Sequence, residues 1–242
     1  MTMKFSRFPP ETLTFLRALK RNNHRDWFLP RKEIFEAKVK APMIELVDAL
    51  NAELARFAPA YVNDPNKAVY RIYRDTRFGA DKSPYKTHMA AIFPKRAGNR
   101  GTSRGTSRGS GPGFYFSISA QGVGVAGGLY QPPPDQIFAV RSWLAKHHGA
   151  FLKACRSAEK LMGKLQGESL QRIPKGFDAG HPAAELLKKK RWVFYATLPP
   201  ILISSPKLPR EVVKRFEAML PALELLSVAA ARSKKMAAAD LM

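Results

Sequence analysis

The segment from Arg71 to His88 concentrates side chains that can hold an anion in a fixed geometry. Arginine can grip two oxygens of a phosphate or carboxylate at once, whereas lysine acts as a mobile point charge. The candidate ligand-binding residues are Arg71, Arg74, Arg77, Asp81, Lys82 and Lys86. We therefore expect this segment to bind a small molecule that carries a phosphate or carboxylate group.

The same segment contains three candidates for proton transfer, Asp75, Tyr85 and His88. Histidine is the side chain that titrates nearest to neutral pH, so it is the natural acid or base of the three. If a strand begins at Lys86, alternation places His88 on the same face as Lys86 and Tyr85 on the opposite face. An enzymatic role stays open, because a strand histidine is also a common structural residue.

The acids of the segment define an alternative, a purely structural ion network. Residues 66–108 contain eleven Lys or Arg and two Asp, Asp75 and Asp81. Two carboxylates cannot neutralise so many cations, which favours anion binding. On a strand, Arg74 shares a face with apolar Ile72, so we expect Arg74 to need a carboxylate or carbonyl partner.

The charge of the whole chain supports a second alternative, a nucleic-acid-binding module. The sequence has 41 Lys or Arg and 19 Asp or Glu, which gives a net charge of +22. Such an excess attracts polyanions. In this interpretation Phe114 and Phe116 stack on bases beside a mobile Arg-Gly-Thr-Ser repeat, although the same two rings also suit a core.

No metal site is predicted, and the sequence does not identify a cofactor. Asp75, Asp81, His88 and His181 have the right ligand atoms for a metal but no recognised spacing, and dinucleotide and Walker-type motifs are absent from the sequence. Cys155 is the only cysteine, which excludes an intrachain disulfide, and its amphipathic surroundings predict a buried thiol.

The sequence also bears on location. The first ten residues lack the apolar stretch of a signal peptide, and no apolar run approaches the roughly 18 residues of a membrane span. We expect a cytoplasmic protein without membrane partners, and the sequence does not predict its oligomeric state.

Helices are predicted on both sides of a group of strands. Proline and glutamate at Pro10 and Glu11 suit the start of a helix, and a longer helix is expected from Arg25 to Phe57 with a break near Pro42. After the strands, helical patterns recur, and they end in a long amphipathic stretch. The predicted later helices are 132–147, 151–161, 183–190 and 209–231.

Alternating and β-branched residues predict antiparallel strands in the middle of the chain. The expected strands are 68–75, 87–93, 114–119 and 122–130 in a meander, with 192–198 as a later addition, and a loop over 76–84. The predicted fold is therefore α+β, an antiparallel sheet packed with N-terminal and C-terminal helices. We expect one domain over residues 1–231, a flexible insertion at 99–113 and a frayed tail at 232–242.

The central segment resembles the signature of a bacterial and fungal family known only as a domain of unknown function. The resemblance rests on the arginines, acids, lysine and tyrosine between Arg71 and Tyr85, and extends to three other motifs. These motifs are 22–28, 127–132 and 174–182. The resemblance covers roughly residues 8–227 and implies membership without implying a reaction. The Arg-Gly-Thr-Ser loop is an insertion relative to that pattern.

Overall fold

The computed structural model describes residues 5, 7–77, 80–96 and 111–239, with side chains described as far as Ser233. The flexible insertion predicted at 99–113 lies outside the described residues except for its last three positions. Residues 240–242 of the predicted frayed tail also lie outside them. The final helix runs past Arg232 to Ala239.

The N-terminal region is helical, and prolines divide it. α1 is Pro10–Arg21, and the single helix expected from Arg25 to Phe57 is instead a series of shorter elements. They are α2 Arg25–Phe28, a 3-10 turn Leu29–Arg31, α3 Lys32–Phe35, a π turn Glu36–Lys40 and α4 Ala41–Phe57.

Where the helix is interrupted near Pro42, a side chain replaces a backbone hydrogen bond that proline cannot make. Proline has no N–H, so in an α-helix the carbonyl of Lys38 would lose its bond to position 42. The hydroxyl of Thr12 on α1 donates to that carbonyl. This hydrogen bond therefore links α1 to the π turn that precedes α4.

The sheet has four strands in the order β1-β2-β3-β4. They are β1 His88–Pro94, β2 Gly113–Ser119, β3 Gly122–Leu129 and β4 Trp192–Leu198. The meander and the added last strand are confirmed, and the fold is α+β. The strand predicted at 68–75 is wrong. Its first residue, Ala68, is the last residue of the short helix α5 Pro65–Ala68, and the others form isolated bridges at Val69 and Tyr73.

The remaining helices follow the prediction with one difference. α6 is Pro134–Met162, α7 is Ala184–Lys188 and α8 is Leu208–Ala239. The two helices expected at 132–147 and 151–161 form one helix with a kink at His147, whose φ of −128° is not helical. No helix in the described part of the chain is both long and apolar enough to cross a membrane.

The chain divides into two compact units that are each discontinuous in sequence. The first unit comprises Met1–Phe93, Tyr115–Val125 and Thr197–Lys214. Its core includes Phe15, Leu16 and Phe28. The second comprises Pro94–Phe114, Ala126–Ala196 and Arg215–Met242. One domain over residues 1–231 stays a prediction.

The second unit is tightly packed around glycine and aromatic residues. A Cβ atom added at Gly128, where φ is +137°, would lie 2.1 Å from the carbonyl oxygen of Trp192. Phe114 stacks on Phe216 at 4.6 Å between ring centroids. Cys155 is buried, and burial raises the pKa of its thiol to about 12. The predicted buried thiol is confirmed.

Candidate functional site

Residues 69–77 and 80–91, which we call the arginine hairpin, form an irregular antiparallel pair in the first unit. Bridges join Val69 to Ala91 and Tyr73 to Tyr85. Between them, the N–H of Lys86 donates to the carbonyl of Ile72 at 2.7 Å. Proline 84 cannot donate, but its carbonyl accepts from the N–H of Arg74 at 2.9 Å. The pairing therefore stops short of a regular strand.

The two predicted faces of the first arm are nevertheless present. Arg71, Tyr73 and Asp75 are exposed, whereas Ile72 is buried and Arg74 is half-buried. This alternation follows from extended backbone, which does not require a complete hydrogen-bond ladder.

Asn23, just after α1, holds the second arm by its backbone. Its amide oxygen accepts from the N–H of Tyr85 at 3.1 Å, and its amide nitrogen donates to the carbonyl of Tyr85 at 2.9 Å. The neighbouring Pro84 and Lys86 direct their own backbone bonds toward the first arm. Asn23 thus takes the place of a strand on the other side of Tyr85.

Aromatic packing anchors the hairpin beneath these backbone bonds. The buried ring of Tyr85 stacks on Phe28 of α2 at 4.1 Å between centroids. Tyr73 lies 5.4 Å from Tyr85 and 6.4 Å from Phe28, but 46% of its surface stays exposed. Phe28 is therefore core, whereas Tyr73 shows one side of its ring to solvent.

Both acids of the hairpin pair with arginines of the same loop. Arg77 donates to Asp75 through two nitrogens, at 3.0 and 2.8 Å, and this lowers the pKa of Asp75 to about 2. Asp81 accepts from the hydroxyl and N–H of Ser83 and from Arg74, and these bonds lower its pKa. The carboxylate partner expected for Arg74 is therefore Asp81.

The other predicted cations of the hairpin bind backbone oxygens. Lys82 donates to the carbonyl of Thr76 at 2.9 Å, and Lys86 donates to the carbonyl of Arg71 at 2.8 Å. The ammonium of Lys86 also lies 5.2 Å from the centre of the Tyr70 ring. Arg71 is exposed, and its charge helps to lower the pKa of Asp75.

An open cavity of about 650 Å³, the hairpin cleft, lies beside these residues. It is lined by Lys20, Asn23, Arg74, Asp75, Asp81, Ser83, Lys86, Thr87 and His88. Five predicted site residues (74, 75, 81, 86 and 88) therefore come together in its wall. Arg71, Arg77, Lys82 and Tyr85 do not line it.

Several polar groups of the cleft have no partner among the described residues. The ammonium of exposed Lys20, the hydroxyl of Thr87 and the imidazole of His88 make no hydrogen bond to that part of the chain. Among the described residues, the guanidinium of Arg74 is bonded only through Nη1, which pairs with Asp81. These groups are consequently available to a molecule in the cleft.

The three proton-transfer candidates have different electrostatic surroundings. Burial lowers the pKa of His88, and the nearby charges of Lys86 and Arg74 lower it further, so its imidazole is uncharged at neutral pH. Burial and Tyr73 raise the pKa of Tyr85, which stays protonated. Asp75 is already bound by Arg77. Of the three, His88 alone offers an unbound base to the cleft.

A second cavity of about 340 Å³, the aromatic groove, adjoins the same hairpin. It is lined by Arg25, Leu29, Tyr73, Arg74, Thr76, Pro84 and Tyr85. Arg74 therefore belongs to the wall of both cavities.

Sequence reasoning missed Lys20 and Asn23, which α1 and its end deliver to the cleft. Asn23 belongs to one of the motifs that carry the family resemblance, which is a usable signal, but its partner Tyr85 is 62 positions away. Among the described residues, no group of His, Cys, Asp or Glu could hold a metal ion. His181 lies against His148, with 5.5 Å between ring centroids.

The rings considered for base stacking are not accessible. Phe114 and Phe116 are both fully buried, so their role is core packing.

Comparison with known families gives one informative match. A family model described as "Conserved hypothetical protein (DUF2461)" matches residues 11–224, which include the whole hairpin and both cavities. Comparison with curated proteins and with solved structures gives no match.

Proposed function

We propose that this chain, which belongs to the DUF2461 family of conserved hypothetical proteins, binds a small molecule with a phosphate or carboxylate group in the hairpin cleft. The observation that supports this proposal is the set of unpartnered polar groups around one open cavity. Lys20, His88 and Arg74 line it, and the ammonium of Lys20, the imidazole of His88 and two nitrogens of Arg74 make no bond to the described residues.

The charges of the cleft favour an anion. Its wall contains the cations Lys20, Arg74 and Lys86 and the carboxylates Asp75 and Asp81. Both carboxylates are already bound, Asp75 by Arg77 from outside the wall and Asp81 by Arg74 and Ser83. A bound anion would meet Lys20 as a point charge and the remaining nitrogens of Arg74 as directed donors.

The roles differ from those predicted for the individual residues. Lys20 replaces Arg71, Arg77 and Lys82 as an anion-binding group, because those three lie outside the cleft wall. His88 supplies a neutral imidazole that can donate to the ligand or accept a proton from it. We propose no reaction, and His88 is the acid–base candidate of the cleft.

Calorimetric titration tests the proposal. Phosphate, sulfate and citrate are titrated at low ionic strength into the wild-type chain and into Lys20→Ala. Losing one charge-assisted contact should weaken binding about tenfold or more. Lys32→Ala is the matched control, since Lys32 is an exposed lysine outside both cavity walls. Absence of binding, or equal losses in the two variants, would contradict the proposal.

The net charge of +22 keeps a nucleic acid as the alternative partner. That alternative predicts an affinity that falls steeply with salt for an oligonucleotide and is unaffected by Lys20→Ala alone, because many phosphate contacts would share the energy. Titration of a single-stranded oligonucleotide at two salt concentrations separates the two partners. A cytoplasmic location also stays a prediction.

A further inference from the structure

We propose that the ligand of the hairpin cleft carries a flat ring as well as its anionic group, and that the ring lies in the aromatic groove. This inference rests on the proposed function, and it adds the chemical class of the ligand. Arg74 is the physical link, because it forms part of the wall of both cavities.

The groove offers apolar surface that the protein leaves uncovered. Leu29 is 57% exposed and Tyr73 is 46% exposed. Tyr73 packs edge-on against Phe28, which fixes its orientation while its exposed side stays available. A fixed aromatic surface is suited to a flat ring, since stacking of a base on such a side chain is favourable for any base.

Tyr85 adds a polar group to the same groove. Its side chain is 1% exposed, and its hydroxyl makes no hydrogen bond to the described residues. Because burial keeps Tyr85 protonated, its hydroxyl can donate to an acceptor atom on a ring held against Tyr73.

The cations at the groove suit a ring that is joined to an anion. Arg25 lines the groove, and its guanidinium makes no hydrogen bond to the described residues. Guanidinium groups stack on ring faces, and Arg74 can reach an anionic group on its other side. The cleft and the groove are each about the size of a small-molecule site, typically about 300–1,000 Å³.

The test compares anions with and without a ring by calorimetry. The ring-bearing probes are adenosine monophosphate and 1-naphthyl phosphate, and the ringless probes are ribose 5-phosphate and inorganic phosphate. The ring-bearing probes should bind about tenfold more tightly than ribose 5-phosphate. A gain for adenosine monophosphate alone would also support the inference and would narrow the class to nucleoside phosphates.

Substitutions in the aromatic groove test whether the tighter binding of the ring-bearing probes arises there. Tyr73→Ala should abolish the difference between the two kinds of probe and leave the affinity for inorganic phosphate unchanged. Leu29→Ser should reduce the difference without affecting the fold, because Leu29 is mostly exposed. Ile201→Ser is the control, since Ile201 is 76% exposed and lies outside both cavity walls.

Two results would overturn the inference, and they are distinguishable. If every phosphate probe binds equally well and Lys20→Ala weakens the binding of all of them, the proposed anion site is supported and the inference of a ring-binding groove is wrong. If no anion binds, the proposed function fails and the ring fails with it.

Discussion

Strand β3 and the arginine hairpin differ in what occupies the space beside them. Every residue of β3 is buried, and Cβ atoms added at Gly127 and Gly128 would collide with Met219 and Trp192. In the hairpin, an open cleft lies beside Lys20 and His88. In β3, packing against neighbouring protein atoms explains why small residues are needed. In the cleft, ion pairs within the hairpin account for some of the charged residues and leave others without a partner among the described residues.

The largest expected effect concerns the tight packing around β3. Gly128→Ala should reduce the free energy of unfolding by about 3 kcal/mol or more, because it combines an unfavourable positive φ with a collision against the backbone. Urea denaturation measures the change. The control, Gly149→Ala in α6, has open space around it and should stabilise the protein by up to about 1 kcal/mol.

The next effect tests how the hairpin is held. Asn23→Ala removes two hydrogen bonds to Tyr85 and should cost about 2 kcal/mol of stability in urea denaturation. Asn22→Ala removes one side-chain bond, to the carbonyl of Ala18, and should cost less. Equal losses in the two variants would show that the clamp on Tyr85 is no stronger than an ordinary helix end.

Arg74→Ala separates the ligand site from a purely structural network. Its pair with Asp81 is partly exposed to solvent, so the substitution should lower the melting temperature by at most about 3 °C while anion binding is lost. Arg74→Lys keeps the charge and should retain part of the affinity. A much larger loss of stability, with anion binding unchanged, would favour the network.

The smallest expected effect concerns pH. A bound anion favours the imidazolium form of His88, so the affinity for sulfate should rise by about threefold as pH falls from 7.5 to 5.5. His88→Asn should remove this rise. Sulfate is the suitable probe because its own charge is constant over this range.

The same histidine has a predictable effect on stability in the absence of ligand. Its folded-state pKa lies below 6.5, so the unfolded chain takes up a proton first as pH falls below that value. Stability should therefore be retained above pH 6.5 and decline as pH falls through the folded-state pKa. Thermal melts of His88→Asn should lack this part of the decline.

The sheet was predictable from sequence because its strands are apolar runs bounded by turn residues, as at Ala120 and Gln121 between β2 and β3. The segment 68–75 has the same alternation, but local pattern does not show what it pairs with. A helix begins at Pro65 and Pro84 lacks an N–H, so regular pairing fails at both ends. The two helices expected at the start and end of α6 form one helix, which has only a kink at His147.

The sequence indicated several residues of the candidate site, but it did not show which residues come together around the cleft. The density of charge in the sequence indicated the hairpin. The structure has features of both alternatives considered there. Asp75 and Asp81 are paired with arginines, as in an ion network, and an open cleft lies beside them, as an anion site requires. Lys20 could not be found, since the chain has many lysines and nothing in the sequence of α1 distinguishes this one. Its position in the cleft follows from tertiary packing, which spacing along the chain does not encode.

The burial of Cys155 makes the chain convenient for site-specific labelling. A thiol that is 1% exposed and has a pKa of about 12 hardly forms the reactive thiolate at neutral pH. A cysteine introduced at an exposed position such as Ile201 can therefore accept a maleimide dye without replacing the native one. Fluorescence from such a dye would follow unfolding and ligand titrations in an otherwise unmodified background.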